Sequence, residues 1–131
     1  MKTPVSIPPR AVVAIQLELI AEHGGLAGPP RTGDLEAALA RPQQQFSHAN
    51  PRPSLERLAA AYGFALARSH CFPDGNKRVA LAVIDVLLQL NGRELLAKEV
   101  DAADTMQRVA AGDLTEEQLA EWIAAHAAVQ K

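Results

Sequence analysis

The sequence is poor in cysteine, in aromatic residues and in net charge. Cys71 is its one cysteine, which excludes an internal disulfide and a zinc site built from several cysteines, and is consistent with a reducing compartment. A net charge of −2 does not supply the basic face that nonspecific nucleic-acid binding requires. Aromatic residues make up 4% of the chain, and abundant alanine with few β-branched residues favours helices over strands.

The chain also lacks a long uninterrupted apolar segment. Asp85 and Gln89 interrupt the most apolar stretch, so no run reaches the length that spans a membrane. Residues Met1 to Arg10 are proline-rich and contain no signal-peptide core. We therefore expect a single soluble, cytoplasmic domain over residues 1–131, with no membrane and no direct nucleic-acid partner.

Helix signals in the first part of the chain are separated by clear breaks. Pro8 and Pro9 suit the first turn of a helix that ends at His23-Gly24-Gly25. Asp34 to Ala40 is predicted to form a short second helix with one apolar face. Arg41 to Pro53 is polar and contains several prolines, which predicts a long loop or small flap rather than a helix.

The remaining helices have equally clear signals. Ser54 is a favourable N-cap for a third helix, and a fourth is predicted from about Asn76 to Gln89. Because apolar residues surround the axis of this fourth helix, it is expected to be buried and central. A fifth helix is predicted over Val100 to Ala111. Thr115 and Gln118 have the spacing of a capping box, which predicts the start of a sixth helix. The predicted fold is all-α, with about six helices around a buried central helix.

One segment combines chemistry that folding alone does not require, namely His70-Cys71-Phe72-Pro73-Asp74-Gly75-Asn76-Lys77-Arg78. It directly precedes the apolar stretch, so the helix would direct its unpaired N–H groups and positive dipole end at a ligand, most simply a phosphate. His70 is a candidate acid or base, Asp74 a candidate metal ligand, and Lys77 and Arg78 candidates for neutralising phosphate. The alternative is that these residues only cap the helix and face solvent.

The nine residues resemble the signature of the Fic family, His-x-Phe-x-Asp/Glu-Gly-Asn-Gly-Arg-x-x-Arg, and more closely that of its Doc branch, the death-on-curing toxins of toxin–antitoxin pairs. Two positions depart from the Fic pattern: Lys77 replaces a glycine and Leu81 replaces the final arginine. Both departures are similar to Doc, whereas Gly75 is nearer to Fic because Doc has alanine there. Gly24 to Gly28 and Leu35 to Pro42 also resemble Doc-type toxins.

The resemblance implies a mechanism that the departures help to specify. Fic enzymes transfer adenylyl groups from ATP, and their glycine allows the backbone to approach the nucleotide phosphates. Lys77 would obstruct that pose, and Leu81 removes a phosphate clamp. Doc-type enzymes are expected to bind the nucleotide in the opposite direction and to transfer the γ-phosphate of ATP to a threonine of elongation factor Tu, which blocks translation.

The same resemblance implies a role for each residue of the segment. His70 would act as the general base, and Asp74 would bind magnesium. Gly75, Asn76, Lys77 and Arg78 would form the nucleotide phosphate site with the helix N-terminus. Phe72, by contrast, is expected to point inward and anchor the loop.

Two alternatives stay open, and inhibition is expected to come from outside the chain. The first alternative is a Fic-type adenylyltransferase, and the second is a non-enzymatic module that binds an antitoxin. Thr32 to Glu36 superficially resembles the inhibitory motif of self-inhibited Fic proteins, but Ala37 breaks that pattern. A separate cognate antitoxin is therefore the expected inhibitor.

Overall fold

The computed structural model describes residues 7–31, 33–48 and 53–130. Within them the chain forms six helices and two short strands, in the order α1 (Pro9–His23), α2 (Asp34–His48), α3 (Leu55–Ser69), α4 (Asn76–Leu90), β1 (Arg93–Leu95), α5 (Glu99–Ala111), α6 (Glu116–His126) and β2 (Ala127–Val129). The predicted all-α fold is confirmed. None of the helices in these ranges is both long and apolar enough to cross a membrane. The single domain over 1–131 stays a prediction, because residues at both ends lie outside the described part.

The helix ends follow the signals in the sequence. The Ser54 side chain accepts a hydrogen bond from the Arg57 N–H and begins α3. Thr115 and Gln118 form the predicted reciprocal capping box at α6. Gly112 ends α5 in the left-handed region, at φ 85°, where a residue without a Cβ has little strain.

The hydrophobic core lies mainly between α3 and α4. The central position predicted for α4 is shared with α3, which packs against α2, α4, α5 and α6. Gly63 of α3 allows the close approach, since a Cβ there would lie 2.4 Å from the Ile84 Cδ1 of α4. Leu58, Leu66 and Leu87 are fully or almost fully buried in the same core. The junction between these two helices carries the segment with the candidate chemistry.

The prediction of a loop or flap from Arg41 to Pro53 is wrong for most of its length, because α2 continues to His48. Pro42 lies inside the helix, yet it is buried in line with Leu35 and Leu39, and Phe46 packs against the core one turn later. The packing of this apolar stripe stabilises the extra turns. It offsets the cost of the helical hydrogen bond that proline cannot donate. Arg41 also forms a bidentate ion pair with Glu116 of α6. The end of the predicted loop, residues 49–52, lies outside the described residues.

The two strands were not predicted from the sequence. They pair antiparallel, with Arg93 opposite Val129 and Leu95 opposite Ala127. Each strand has three residues, which is too short for an alternating pattern to identify it. The Arg93 guanidinium also pairs with Glu56 at 3.3 Å, so the small sheet is fastened to the start of α3.

Candidate active site

The loop between α3 and α4 turns sharply at His70. His70 ends α3 in the left-handed region, at φ 51° and ψ 37°, and it is the one residue other than glycine with positive φ among those described. This conformation is uncommon outside glycine and is found often at functional sites. The His70 side chain is exposed, whereas Cys71 and Phe72, the next two residues, are buried in the core. The predicted inward position of Phe72 is confirmed.

The Asn76 side chain closes the loop onto this anchor. Its Oδ1 accepts a hydrogen bond from the Phe72 N–H at 3.0 Å, and its Nδ2 donates to the Phe72 carbonyl oxygen at 3.0 Å. Gly75, at φ 78°, directly precedes Asn76 and the first turn of α4. The backbone N–H groups of residues 76–78 have no acceptor within the helix and lie at its positive end. Asn76 is predicted to hold phosphate, and here its amide also fixes the loop that presents these N–H groups.

The Asp74 carboxylate is exposed but held by two backbone groups. Oδ2 accepts a hydrogen bond from the Leu26 N–H at 3.1 Å, and Oδ1 accepts one from the Gly75 N–H at 2.8 Å. The Leu26 bond first, then the Gly75 bond and the charge of Arg78, hold the pKa of the Asp74 carboxyl below its usual value, against an opposing desolvation effect. The side chain is therefore an anion at neutral pH, as a metal ligand must be.

The two cations of the loop have different environments. Lys77 Nζ donates a hydrogen bond to Gln107 Oε1 of α5 at 3.1 Å, so the side chain extends across toward α5. Arg78 is exposed and makes no hydrogen bond or ion pair within the part of the chain that the structure describes. Its five donors are thus available for a phosphate.

The candidate site residues predicted from the sequence meet in one open cleft of about 440 Å³. It is lined by His70, Asp74, Gly75, Asn76, Lys77 and Arg78, together with Ala67, Pro73 and Ala110. The structure therefore brings together a potential base, a carboxylate, two cations and a helix N-terminus. Leu81 lies outside the cleft and packs against the core, so no second arginine reaches the site from that position.

A second wall of the site, formed by residues 24–31, was not predicted from the sequence. Arg31 Nη2 donates to the His70 carbonyl oxygen at 2.7 Å, and the Arg31 N–H donates to the Cys71 carbonyl oxygen at 2.8 Å. Gly25, at φ 119°, approaches Asp74 so closely that a Cβ would lie 2.8 Å from its Oδ2. The glycine cluster of residues 24–28 was the available signal, but its role depends on a long-range contact.

The residues fit a magnesium ion that is held jointly with substrate phosphates. Residues 7–31, 33–48 and 53–130 contain no group of three His, Cys, Asp or Glu side chains that could hold a metal ion. Magnesium commonly uses one or two protein carboxylates, with phosphate oxygens and water completing its octahedron. Asp74 can supply one such carboxylate, because each of its oxygens keeps a lone pair beyond the backbone bond it accepts.

Comparison with known proteins agrees with this geometry. A sequence model of the Fic/DOC family matches residues 6–88, which include the cleft loop and all of the helices α1 to α3. The chain belongs to the Fic/DOC family. The match ends within α4. Gln107, which accepts a hydrogen bond from Lys77, therefore lies beyond the matched residues.

Two relatives extend the similarity over most of the chain. A protein of Mycolicibacterium smegmatis named Toxin Doc is 42% identical over 98 residues, which is 73% of this chain and 75% of that protein. A protein of Escherichia phage P1 named Protein kinase doc is 31% identical over 109 residues, or 83% of this chain and 85% of that protein. Both relatives carry the Doc name, so the resemblance to the Doc branch is confirmed.

Proposed function

We propose that this Fic/DOC protein is a toxin kinase that transfers the γ-phosphate of ATP to a threonine of elongation factor Tu and so blocks translation. The names of the two relatives support the toxin and kinase parts of the proposal. The observation that carries it further is the position of Lys77. Its side chain stands at the start of α4, where Fic enzymes have glycine, and extends to Gln107.

Lys77 and Leu81 together favour phosphoryl over adenylyl transfer. A lysine at the first turn of α4 adds bulk where an adenylyl donor would have to bring its phosphates close to the backbone. Leu81 packs against the core and supplies no charge to a terminal phosphate. Arg78 and the N-terminus of α4 then form the main phosphate site, and a γ-phosphate bound there would face His70 across the cleft.

His70 is the proposed general base. Its side chain is exposed and lines the cleft, where the hydroxyl of a protein substrate can reach it. His70 accepts the proton of the threonine hydroxyl as its oxygen attacks the γ-phosphorus; the bond from that phosphorus to the β,γ-bridging oxygen breaks, and ADP leaves with the electron pair. Arg78 and the α4 N–H groups stabilise the charge on the transferred group, which is the main requirement of phosphoryl transfer. Magnesium, held by Asp74 and the phosphates, would neutralise further phosphate charge.

ATP labelled at either the α- or the γ-phosphate distinguishes phosphoryl transfer from adenylyl transfer. Purified chain is incubated with elongation factor Tu, magnesium and ATP labelled on either the α- or the γ-phosphate. Transfer from the γ position alone, with a phosphothreonine found by mass spectrometry, is the expected result. Label transferred from the α position would establish adenylyl transfer instead. A chain that labels no protein in a complete lysate would favour the non-enzymatic antitoxin-binding module.

Adenylyl transfer is the second candidate because of Gly75. This residue has φ 78° and lies next to the exposed end of α4, as the glycine of the Fic signature does. Alanine, the Doc residue, would be strained at this φ, so the glycine has a local structural reason as well. Gly75 therefore gives the Fic-type reaction weaker support than Lys77 gives the kinase reaction.

The proposed activity implies a cytoplasmic location and a protein inhibitor. ATP and elongation factor Tu are both cytoplasmic, and a toxin directed at translation must be neutralised in the cell that makes it. Glu36 is an exposed residue of α2, and Thr32 lies outside the described residues, so the described part of the segment offers no contact with the cleft. Growth arrest on expression of the chain, relieved by co-expression of a small protein encoded beside it, is the expected observation.

A further inference from the structure

Gln16 of α1 is a buried polar side chain for which the fold gives no reason. It is 1% exposed, and neither its Oε1 nor its Nε2 has a hydrogen-bond partner among the residues that the structure describes. Burying an amide without hydrogen bonds is unfavourable, and a leucine of similar size would fill the same space without that penalty. The position of Gln16 therefore indicates a partner that residues 7–31, 33–48 and 53–130 do not supply.

That partner can be located from the cavity beside Gln16. A small cavity of about 30 Å³ lies between α1 and the start of α4, and Gln16 lines it with Asp74, Gly75 and Arg78. Asp74, Gly75 and Arg78 also line the cleft, so the cavity lies directly beside it. Leu19, Ile20 and Val79 form its apolar wall.

We propose that this cavity is a site for an ordered water molecule that joins the Gln16 amide to the Arg78 guanidinium, and that Gln16 is a positioning residue for Arg78. A buried water requires a cavity of at least about 10–15 Å³ and two to four polar partners. The Gln16 amide, the Asp74 carboxylate and the Arg78 guanidinium line the cavity and supply a donor and acceptor set of that size. Larger ligands are excluded by its volume.

The bridge explains how an isolated arginine can be held ready for phosphate. Arg78 makes no hydrogen bond or ion pair in the described ranges, and its long side chain loses much conformational freedom when a phosphate fixes it. A water held by Gln16 fixes one edge of the guanidinium beforehand and leaves the other edge for the ligand. The inference rests on the proposed function only in assigning Arg78 to the nucleotide phosphates.

Isothermal titration with magnesium and a nonhydrolysable ATP analogue tests the coupling between the two residues. The variants are Gln16→Leu, Arg78→Ala and the double variant, with Gln44→Leu, on the exposed side of α2, as the matched control. Gln16→Leu is expected to weaken binding about fivefold, the loss of one modest hydrogen bond. It should weaken binding no further in the Arg78→Ala background, and Gln44→Leu should bind as the wild type does.

Two results would overturn the proposal. One is wild-type affinity in Gln16→Leu; the other is an equal loss in both backgrounds, which would make Gln16 a packing residue that acts independently of Arg78. Measured on the active enzyme, Gln16→Leu should lower kcat/KM for ATP, and it should cause no further loss in the Arg78→Ala background, because it acts only through Arg78.

A measurement on the wild-type chain keeps this inference separate from the proposed function. Nuclear Overhauser spectra should show transfer between a long-lived water and the Gln16 side-chain amide, with no ligand present. Absence of that signal would refute the water site even if the protein proves to be a kinase. Its presence in a chain that binds no nucleotide would refute the kinase while retaining the water site.

Discussion

The loop between α3 and α4 has two faces with opposite environments. The anchor face, made of Cys71, Phe72 and the Asn76 amide, is buried or hydrogen-bonded to the loop itself. The cleft face is exposed and consists of His70, Asp74, Lys77 and Arg78. Folding accounts for the first set, whereas the second contributes little to the core. We therefore expect substitutions on the anchor face to change mainly the stability, and substitutions on the cleft face to change mainly the activity.

The most severe test of the cleft face is His70→Ala. Loss of a general base is expected to reduce phosphoryl transfer by a factor of roughly 100 to 10,000. The His70 side chain is exposed, and alanine keeps the backbone N–H and the carbonyl that accepts from Arg31, so the urea midpoint of unfolding should change little. Initial rates with γ-labelled ATP measure the first effect and urea denaturation the second.

Asparagine at position 70 is the control for backbone strain, because it tolerates positive φ better than alanine does. If His70→Asn and His70→Ala are equally inactive and equally stable, the imidazole is responsible for the rate. A His70→Ala enzyme that transfers phosphate at the wild-type rate would remove His70 from the mechanism.

Phe72→Ala is the corresponding test of the anchor face. Phe72 is 4% exposed, and truncating a buried phenylalanine lowers the free energy of unfolding by about 3–5 kcal/mol. Chemical denaturation should report this loss, and ATP binding by the fraction that remains folded should fall as well, since the loop loses its anchor. Phe72→Leu keeps most of the buried volume and should retain most of the stability. A stable Phe72→Ala protein would show that the loop is held from elsewhere.

The sequence predicted the inward position of Phe72 and the place of the cleft residues because their signals are local, but it did not predict the bonds by which Asn76 anchors the loop. Caps, apolar spacing and the segment from His70 to Arg78 each lie within a few neighbouring residues, so helix ends and the position of the site followed from them. The extension of α2 past Pro42 was missed because tertiary packing of Phe46 overrides the local preference of proline.

The second wall of the site was missed for a different reason. The Arg31 contact to His70 spans 39 residues in sequence, and the Leu26 contact to Asp74 spans 48. No periodicity identifies such pairs. Gln16 shows the same limit, because an apolar helix face gives no sign that one polar residue on it will be buried beside Arg78. Local patterns therefore predicted the candidate site residues, whereas the groups that hold them in place became visible only in the fold.

Asn76 belongs to the anchor face by its bonds but also lines the cleft, so its variants test whether the two faces are separate. Asn76→Ala removes two hydrogen bonds to Phe72 and should lower the free energy of unfolding by about 1–3 kcal/mol. Asn76→Asp keeps the acceptor for the Phe72 N–H but places a carboxylate oxygen against the Phe72 carbonyl oxygen, so it should be destabilised as well. Thermal unfolding ranks the three proteins. Equal stability of all three would mean that the Asn76 amide serves the ligand alone.

The smallest expected effect concerns Gly25, which contacts Asp74 from the second wall. Gly25→Ala places a Cβ 2.8 Å from Asp74 Oδ2, so the carboxylate must move and its bond from Leu26 must lengthen. Gly24→Ala is the matched control: Gly24 also has positive φ, at 78°, but a Cβ there meets nothing within 4 Å. Each alanine should cost about 1–3 kcal/mol of backbone strain, so only a difference between the two variants reports on Asp74.

That difference should appear in the titration of Asp74. Its lowered pKa means that the carboxylate charge, and the stability it adds, persist above the ordinary value of 3.8 and are lost only as the pH falls through the lower, folded-state value. Weakening the Leu26 bond removes the largest cause of the shift, so Gly25→Ala should raise the pKa toward 3.8 while Gly24→Ala leaves it low. Carbon-detected NMR titration of the Asp74 carboxyl measures this pKa in each of the two variants. Identical midpoints in the two variants would show that Gly75 and Arg78, from the motif side, hold the carboxylate without help from the second wall.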